Sequence, residues 1–169
     1  MKKKNTLVGV VMGSDSDLPV LEEALSVLDD FAIPYEVTVS SAHRSPKRTF
    51  GYAKSAMDRG IEVIIAAAGG AAHLAGVIAA ETLLPVIGVP VDSSPLKGLD
   101  SLLSTVQMPG GVPVATMAIG RSGARNAGIF AAQILSIKYP EIRKKLLSFK
   151  IEMAAQVDKK AKILSRKRR

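Results

Sequence analysis

The 169-residue sequence contains two histidines and no cysteine. Both histidines stand just after an apolar or β-prone run. His43 lies in Ser40-Ser41-Ala42-His43-Arg44-Ser45-Pro46, which follows Tyr35 to Val39. His73 lies in Ala68-Gly69-Gly70-Ala71-Ala72-His73-Leu74, which follows Ile61 to Ala67. Imidazole is the side chain best suited to moving protons near neutral pH. Arg44 beside His43 offers a planar fork that grips phosphate, with the Ser40 and Ser41 hydroxyls next to it. Gly69, Gly70, Ala71 and Ala72 leave backbone N–H groups open to a carboxylate or to developing negative charge. A third polar turn, Gly13-Ser14-Asp15-Ser16-Asp17, combines a glycine for a tight turn, hydroxyl donors for an anion and carboxylates that accept from ribose hydroxyls. Each also has a structural reading: a helix-capping cluster at 14–17, a histidine–carbonyl bond at His43, a hydrogen-bonding residue at a helix start for His73.

Several chemistries are excluded or weakened. Without cysteine there are no disulfides, thiolate metal sites, iron–sulfur ligands or thiol nucleophiles. With two histidines, a zinc site would need carboxylates to complete it. Neither the Gly-x-x-x-x-Gly-Lys phosphate loop nor the spaced glycines of a dinucleotide fingerprint occur. No serine occupies a Gly-x-Ser-x-Gly elbow. Asp15 and Asp17 read as too exposed and too close together for paired glycosidase roles. What remains is a small site for a ribose phosphate that carries a polar ring.

The elements that would position these turns follow from periodicity. Short apolar runs at 7–12, 35–39, 61–67, 85–89 and 114–119 read as strands, the innermost of them buried on both faces. Between them come helices at about 18–31, with Asp17 as N-cap and Pro19 in the first turn; at 46–58, capped by Ser45 and stopped at Gly60; at 71–82; a short one at 99–105; and one at 124–137. Strand–helix alternation of this kind predicts a parallel sheet with helices on both faces. In such sheets ligands sit beyond the carboxyl ends of the strands, where both histidines fall. Pro140 opens a final amphipathic helix of about twenty residues, with Ile142, Leu146, Phe149, Met153 and Val157 in one stripe. Its stripe has no uncovered unit left to pack on, which points to a neighbouring subunit.

Length suits one α/β domain over 1–169. A basic extension spans 1–5, and the terminal helix with its basic tail spans 140–169. The net charge of +8 is a property of these ends: residues 5–137 carry eight basic and twelve acidic residues, whereas 138–169 carry twelve basic and three acidic. The tail lacks interleaved aromatic residues after Phe149 and reads as a solvated helix end rather than a nucleic-acid surface. The chain shows no signal peptide and no apolar run of membrane-spanning length, so a cytoplasmic location is expected.

Gly13-Ser-Asp-Ser-Asp17, Ser41-Ala-His-Arg44, Ala68-Gly-Gly-Ala-Ala-His-Leu74 and Gln107-Met-Pro109 together resemble the signature turns of the PurE family of purine biosynthesis. The resemblance covers about residues 6–137. It implies a flavodoxin-like three-layer sandwich with a five-stranded parallel sheet and an extra C-terminal helix, a homo-octamer, and a ribonucleotide substrate handled without metal, nucleotide or biotin. The family holds two activities. One is the mutase that moves the carboxyl group of 5-(carboxyamino)imidazole ribonucleotide from nitrogen to ring carbon. The other carboxylates aminoimidazole ribonucleotide directly. Arg44, where the carboxylase form commonly has lysine, makes this chain resemble the mutase. By the same resemblance, His43 is the acid–base residue with His73 beside it. Ser14, Ser41 and Arg44 bind phosphate, and Asp17 binds ribose. Ser16 and the backbone of Gly69, Gly70 and Ala71 hold the migrating carboxyl group, with Ala68 and Leu74 of that motif against the substrate. Ala75 departs from the family, which often has proline there, and the tail 159–169 is outside the shared pattern. A flavin- or nucleotide-binding module on the same fold is the non-enzymatic alternative.

Overall fold

The computed structural model describes residues 6–167; the basic stretch 1–5 lies outside them. The elements run β1 (Val8–Met12), α1 (Leu18–Asp30), β2 (Tyr35–Val39), α2 (Pro46–Ala56), β3 (Val63–Gly69), α3 (Leu74–Glu81), β4 (Val86–Val91), α4 (Leu99–Val106), β5 (Ala115–Thr116), α5 (Gly120–Leu135) and α6 (Pro140–Lys167). All strands are parallel, in the order β2-β1-β3-β4-β5. Alternate residues divide between two cores. Val8, Val10, Met12, Val63, Ile65, Ala67, Ile87 and Val89 face α1, α5 and the start of α6. Val11, Ile64, Ala66 and Val86 face α2 and α3. The molecule is thus the three-layer α/β sandwich expected from the sequence. Each fully buried valine or isoleucine contributes about 1.5–3 kcal/mol, so these runs hold the layers together.

Two features place the turns. β1 lies between β2 and β3, where the direction of strand succession reverses, and this switch point opens a crevice at the carboxyl edge. Register then levels the strand ends. Met12 pairs with Val39 on one side and with Ala67 on the other, so β1 and β2 end level, and β3 runs two residues further, to Gly69, before its turn begins beside theirs.

Several expectations need correction. The fifth strand, expected over 114–119, is two residues long. Gly88 O accepts from Met117 N at 2.8 Å, so Gly88 faces β5. The next β4 position on that side is Pro90, which has no N–H to extend the ladder. The third helix begins at Leu74, not Ala71. Ala72 N and His73 N donate to Gly70 O and Ala71 O two residues back, which winds 70–73 into tight turns and puts His73 at the N-cap. The last helix has 28 residues because no breaker follows Pro140. Its stripe is also not wholly unattached: Ile142 and Leu146 are buried in the first core, and Phe149 meets Phe31 edge to face at 5.7 Å. Met153 and Val157, further along the stripe, are exposed.

Candidate active site

The first turn folds on itself. Ser14 Oγ accepts from Ser16 N at 3.4 Å, while Asp17 Oδ2 accepts from Ser14 N at 3.2 Å, a reciprocal capping box around a 3-10 turn at Asp15–Asp17. Ser16 Oγ donates to Ser14 Oγ at 2.8 Å. Asp17 was expected to cap α1 and to lie exposed. Instead it makes no cap bond to α1 and is 3% exposed. Burial pushes its carboxyl above the ordinary carboxylate range; the Ser14 N–H pulls it back, Asp15 raises it further and Arg44 lowers it. Gly13 adopts no left-handed conformation. A Cβ there would stand 3.6 Å from Ala68 Cβ, in ordinary contact.

The second turn is stapled by Ser45. Ser41 N donates to Ser45 Oγ, and Ser45 Oγ donates to Ser41 O, each at 3.1 Å. Ser45 therefore stands at the N-cap position of α2 without capping it. Ser41 Oγ accepts from Arg44 N at 3.2 Å. Ser40, expected beside the phosphate, is buried and paired with Thr49 Oγ1 at 2.9 Å. Arg44 Nη2 donates to Gly13 O at 3.3 Å, tying the second turn to the first. The guanidinium keeps further donors for an anion.

The second and third turns meet at the histidines. His43 Nε2 lies 2.8 Å from His73 Nδ1, with the rings edge to face and their centroids 4.9 Å apart. The residues are 30 positions apart in sequence. Around them the three turns enclose a pocket of about 290 Å³, at the small end of the ~300–1,000 Å³ usual for ligand sites. Ser14, Ser16 and Asp17 line it from the first turn, Ser41, His43 and Arg44 from the second, and Ala68, Gly69, Ala71, His73 and Leu74 from the third. Gly70 does not line it; its φ of +58° lets the chain turn sharply there. Sequence reasoning missed Ala42 and Ser93, which also line the pocket. For Ser93 a signal existed, since Asp92-Ser93-Ser94 is the polar turn after the fourth strand. Met108, from the Gln107-Met108-Pro109 motif, lies over Gly76, where an added Cβ would stand 2.9 Å from Met108 Cε. It thus packs on α3 outside the pocket lining. Among the described residues no cluster of three or more His, Asp or Glu is placed to hold a metal ion.

A family model described as AIR carboxylase matches residues 7–156, a span that includes every turn of this pocket. The chain belongs to the AIR carboxylase (PurE) family. Among its relatives, the N5-carboxyaminoimidazole ribonucleotide mutase of Pyrococcus horikoshii is 60% identical over 164 residues, covering 97% of this chain and 92% of that protein. The mutase of Thermotoga maritima is 62% identical over 157 residues, covering 93% and 91%. The crystal structure of Treponema denticola PurE matches with a TM-score of 0.84 at 29% identity, covering 94% of this chain and 98% of that one. The family model stops short of the basic tail, whereas the alignment with the Pyrococcus protein takes in nearly the whole chain.

Proposed function

We propose that this chain is an N5-carboxyaminoimidazole ribonucleotide mutase, which moves a carboxyl group from the exocyclic nitrogen to the ring carbon of an imidazole ribonucleotide in purine synthesis. The observation that carries the reading is the 2.8 Å contact between His43 and His73 in a pocket that also holds Arg44 and the Gly69 turn. The mutase names of relatives about 60% identical support it.

The contact needs one ring nitrogen as donor and the other as acceptor. It survives when the pair is neutral and when the pair holds one extra proton. It fails when both rings are fully protonated, because no lone pair is left. The pair is thus suited to hold and release a single proton, and the reaction requires just that. The carbamate C–N bond breaks, its electron pair stays on nitrogen, and His43 gives that nitrogen a proton. Carbon dioxide is freed inside the pocket. The enamine-like ring carbon attacks it, forming the C–C bond. His43 then takes the proton from that carbon, and the electron pair returns to the ring. The proton lent in the first step is recovered in the last. Holding carbon dioxide beside the ring replaces a bimolecular encounter with a local one. The Arg44 fork and the Ser14 and Ser41 hydroxyls hold the phosphate, and the buried Asp17 carboxylate accepts from the ribose. Ser16, Gly69 and Ala71 face the carboxyl group, and Gly70, expected beside them, only turns the chain between the last two.

The same reading makes the protein a cytoplasmic homo-oligomer, an octamer by the family pattern. No helix among the described residues is long and apolar enough to cross a membrane. Leu99, Leu103 and Val106 on α4, and Met153, Val157 and Leu164 on α6, are large apolar residues left exposed on one chain. The deciding assay offers the purified protein the carbamate alone, and separately aminoimidazole ribonucleotide with bicarbonate. Turnover of the carbamate is expected. Turnover only of the second mixture would establish direct carboxylation instead.

A further inference from the structure

Ser93 reaches the pocket from an element that none of the roles above uses. It stands two positions beyond Val91, the last residue of β4, and Val91 pairs with Gly69. Ser101 Oγ donates to Val91 O at 2.9 Å, which pins the end of β4 to α4. The chain leaving β4 therefore crosses beside the third turn. A Cβ on Gly69 would stand 1.7 Å from Ser93 Oγ and 2.9 Å from Ser93 Cβ. Gly69 has no left-handed φ, so backbone freedom is not what requires glycine there. The space its missing side chain leaves is the space that Ser93 fills. Because β3 lies between β1 and β4, Ser93 approaches the glycine turn from the side opposite Ser14 and Ser16. All of these residues line the same pocket.

We propose that Ser93 is a catalytic residue for the carboxyl transfer: its hydroxyl donates a hydrogen bond to the carboxyl group in transit, and position 69 is glycine to admit it. The proposal rests on the mutase reading and deepens it. Carbon dioxide carries no charge and is lost to solvent unless its oxygens are held. When the ring carbon attacks, negative charge grows on those oxygens, and a fixed hydroxyl donor beside them is worth most at that moment. Backbone N–H groups of the third turn cannot supply all of this, since those of Ala72 and His73 are already spent inside the turn.

The test follows the fate of the carbamate in wild type, Ser93→Ala, Ser93→Thr, Gly69→Ala and the double variant Gly69→Ala/Ser93→Ala. Each reaction is divided into carboxylated ring and free aminoimidazole ribonucleotide after subtraction of spontaneous decarboxylation. S93A is expected to lose about 10²-fold in kcat, with KM little changed and a larger share of free amine. S93T, which keeps a hydroxyl, is expected to recover most of the loss. G69A alone is expected to be more damaging than G69A added to S93A, because removal of the hydroxyl takes away the 1.7 Å clash and leaves only the milder 2.9 Å approach to the Cβ of residue 93. Wild-type kcat and partition in S93A, or strictly additive losses in the double variant, would overturn the proposal while leaving the mutase reading intact. A wild-type protein inert toward the carbamate would overturn both.

Discussion

Replacing His43 by Asn removes the proton carrier but keeps a side chain that can still hydrogen-bond. Turnover is expected to vanish, while substrate affinity measured by calorimetry stays within a few-fold. Lost affinity or lost folding would mean that His43 serves structure instead. Arg44→Ala deletes the charged fork and also its bond to Gly13 O. Binding should weaken by about 2 kcal/mol, the scale of a charge-assisted hydrogen bond. Unchanged affinity would remove Arg44 from the phosphate site. Asp17 gives a prediction of opposite sign for stability. Its carboxyl is raised by burial, so the folded state binds that proton more tightly than the unfolded chain does. The stabilising contribution is complete below the ordinary carboxylate range and is lost as pH rises through the raised value. Asp17→Asn, which can still accept from Ser14 N, should therefore raise Tm at neutral pH, with the gain fading under acid, while substrate affinity falls. A lower Tm at neutral pH would show that the charge itself holds the turn. At this scale the sequence exposed the residue types but not their partners. His43 and His73 could each be marked at a strand end, yet nothing in a gap of 30 residues says that their rings touch. Ser40 and Ser41 looked equivalent until the buried Thr49 claimed the first.

Close packing between α1 and α5 shows how small residues set the distance between elements. A Cβ on Gly128 would lie 2.9 Å from both Ala24 O and Val27 Cβ, and Ala124, Ala127 and Ala131 are fully buried on the same helix. Gly128→Ala must push backbone apart, and about 1–3 kcal/mol of stability should be lost. An unchanged urea midpoint would show that the helices have slack. Order and type of the elements were legible, because apolar strands and amphipathic helices have different periods. Their ends were not. Pro90 ended the β5 ladder from the neighbouring strand, a consequence of pairing that reading β5 alone cannot reveal. The start of α3 moved because Gly70 and Ala71 carbonyls captured N–H groups that an isolated helix would have left free. The first half of α6 found an apolar partner at Phe31, which lies more than a hundred residues earlier and is invisible to local pattern.

Across the whole molecule, register is what turns separate motifs into one site: Met12 meets both Val39 and Ala67, so three turns emerge side by side. Charge plays no such part. The basic surplus belongs to the two ends of the sequence, no described residue of α6 lines the pocket, and removing residues 159–169 should leave kcat and KM unchanged; a fall in either would give the tail a role in the site. The exposed stripe of α6 belongs to assembly on the proposed reading. Val157→Glu should lower the mass seen by light scattering while far-UV circular dichroism stays the same, and an unchanged mass would place that stripe outside the interface. The central claim is that the carboxyl group never leaves the pocket between nitrogen and carbon. Carbamate labelled with ¹³C at its carboxyl, turned over in unlabelled bicarbonate, tests it directly. The product should retain the label, and a product that carries the buffer's unlabelled carbon instead would contradict the account.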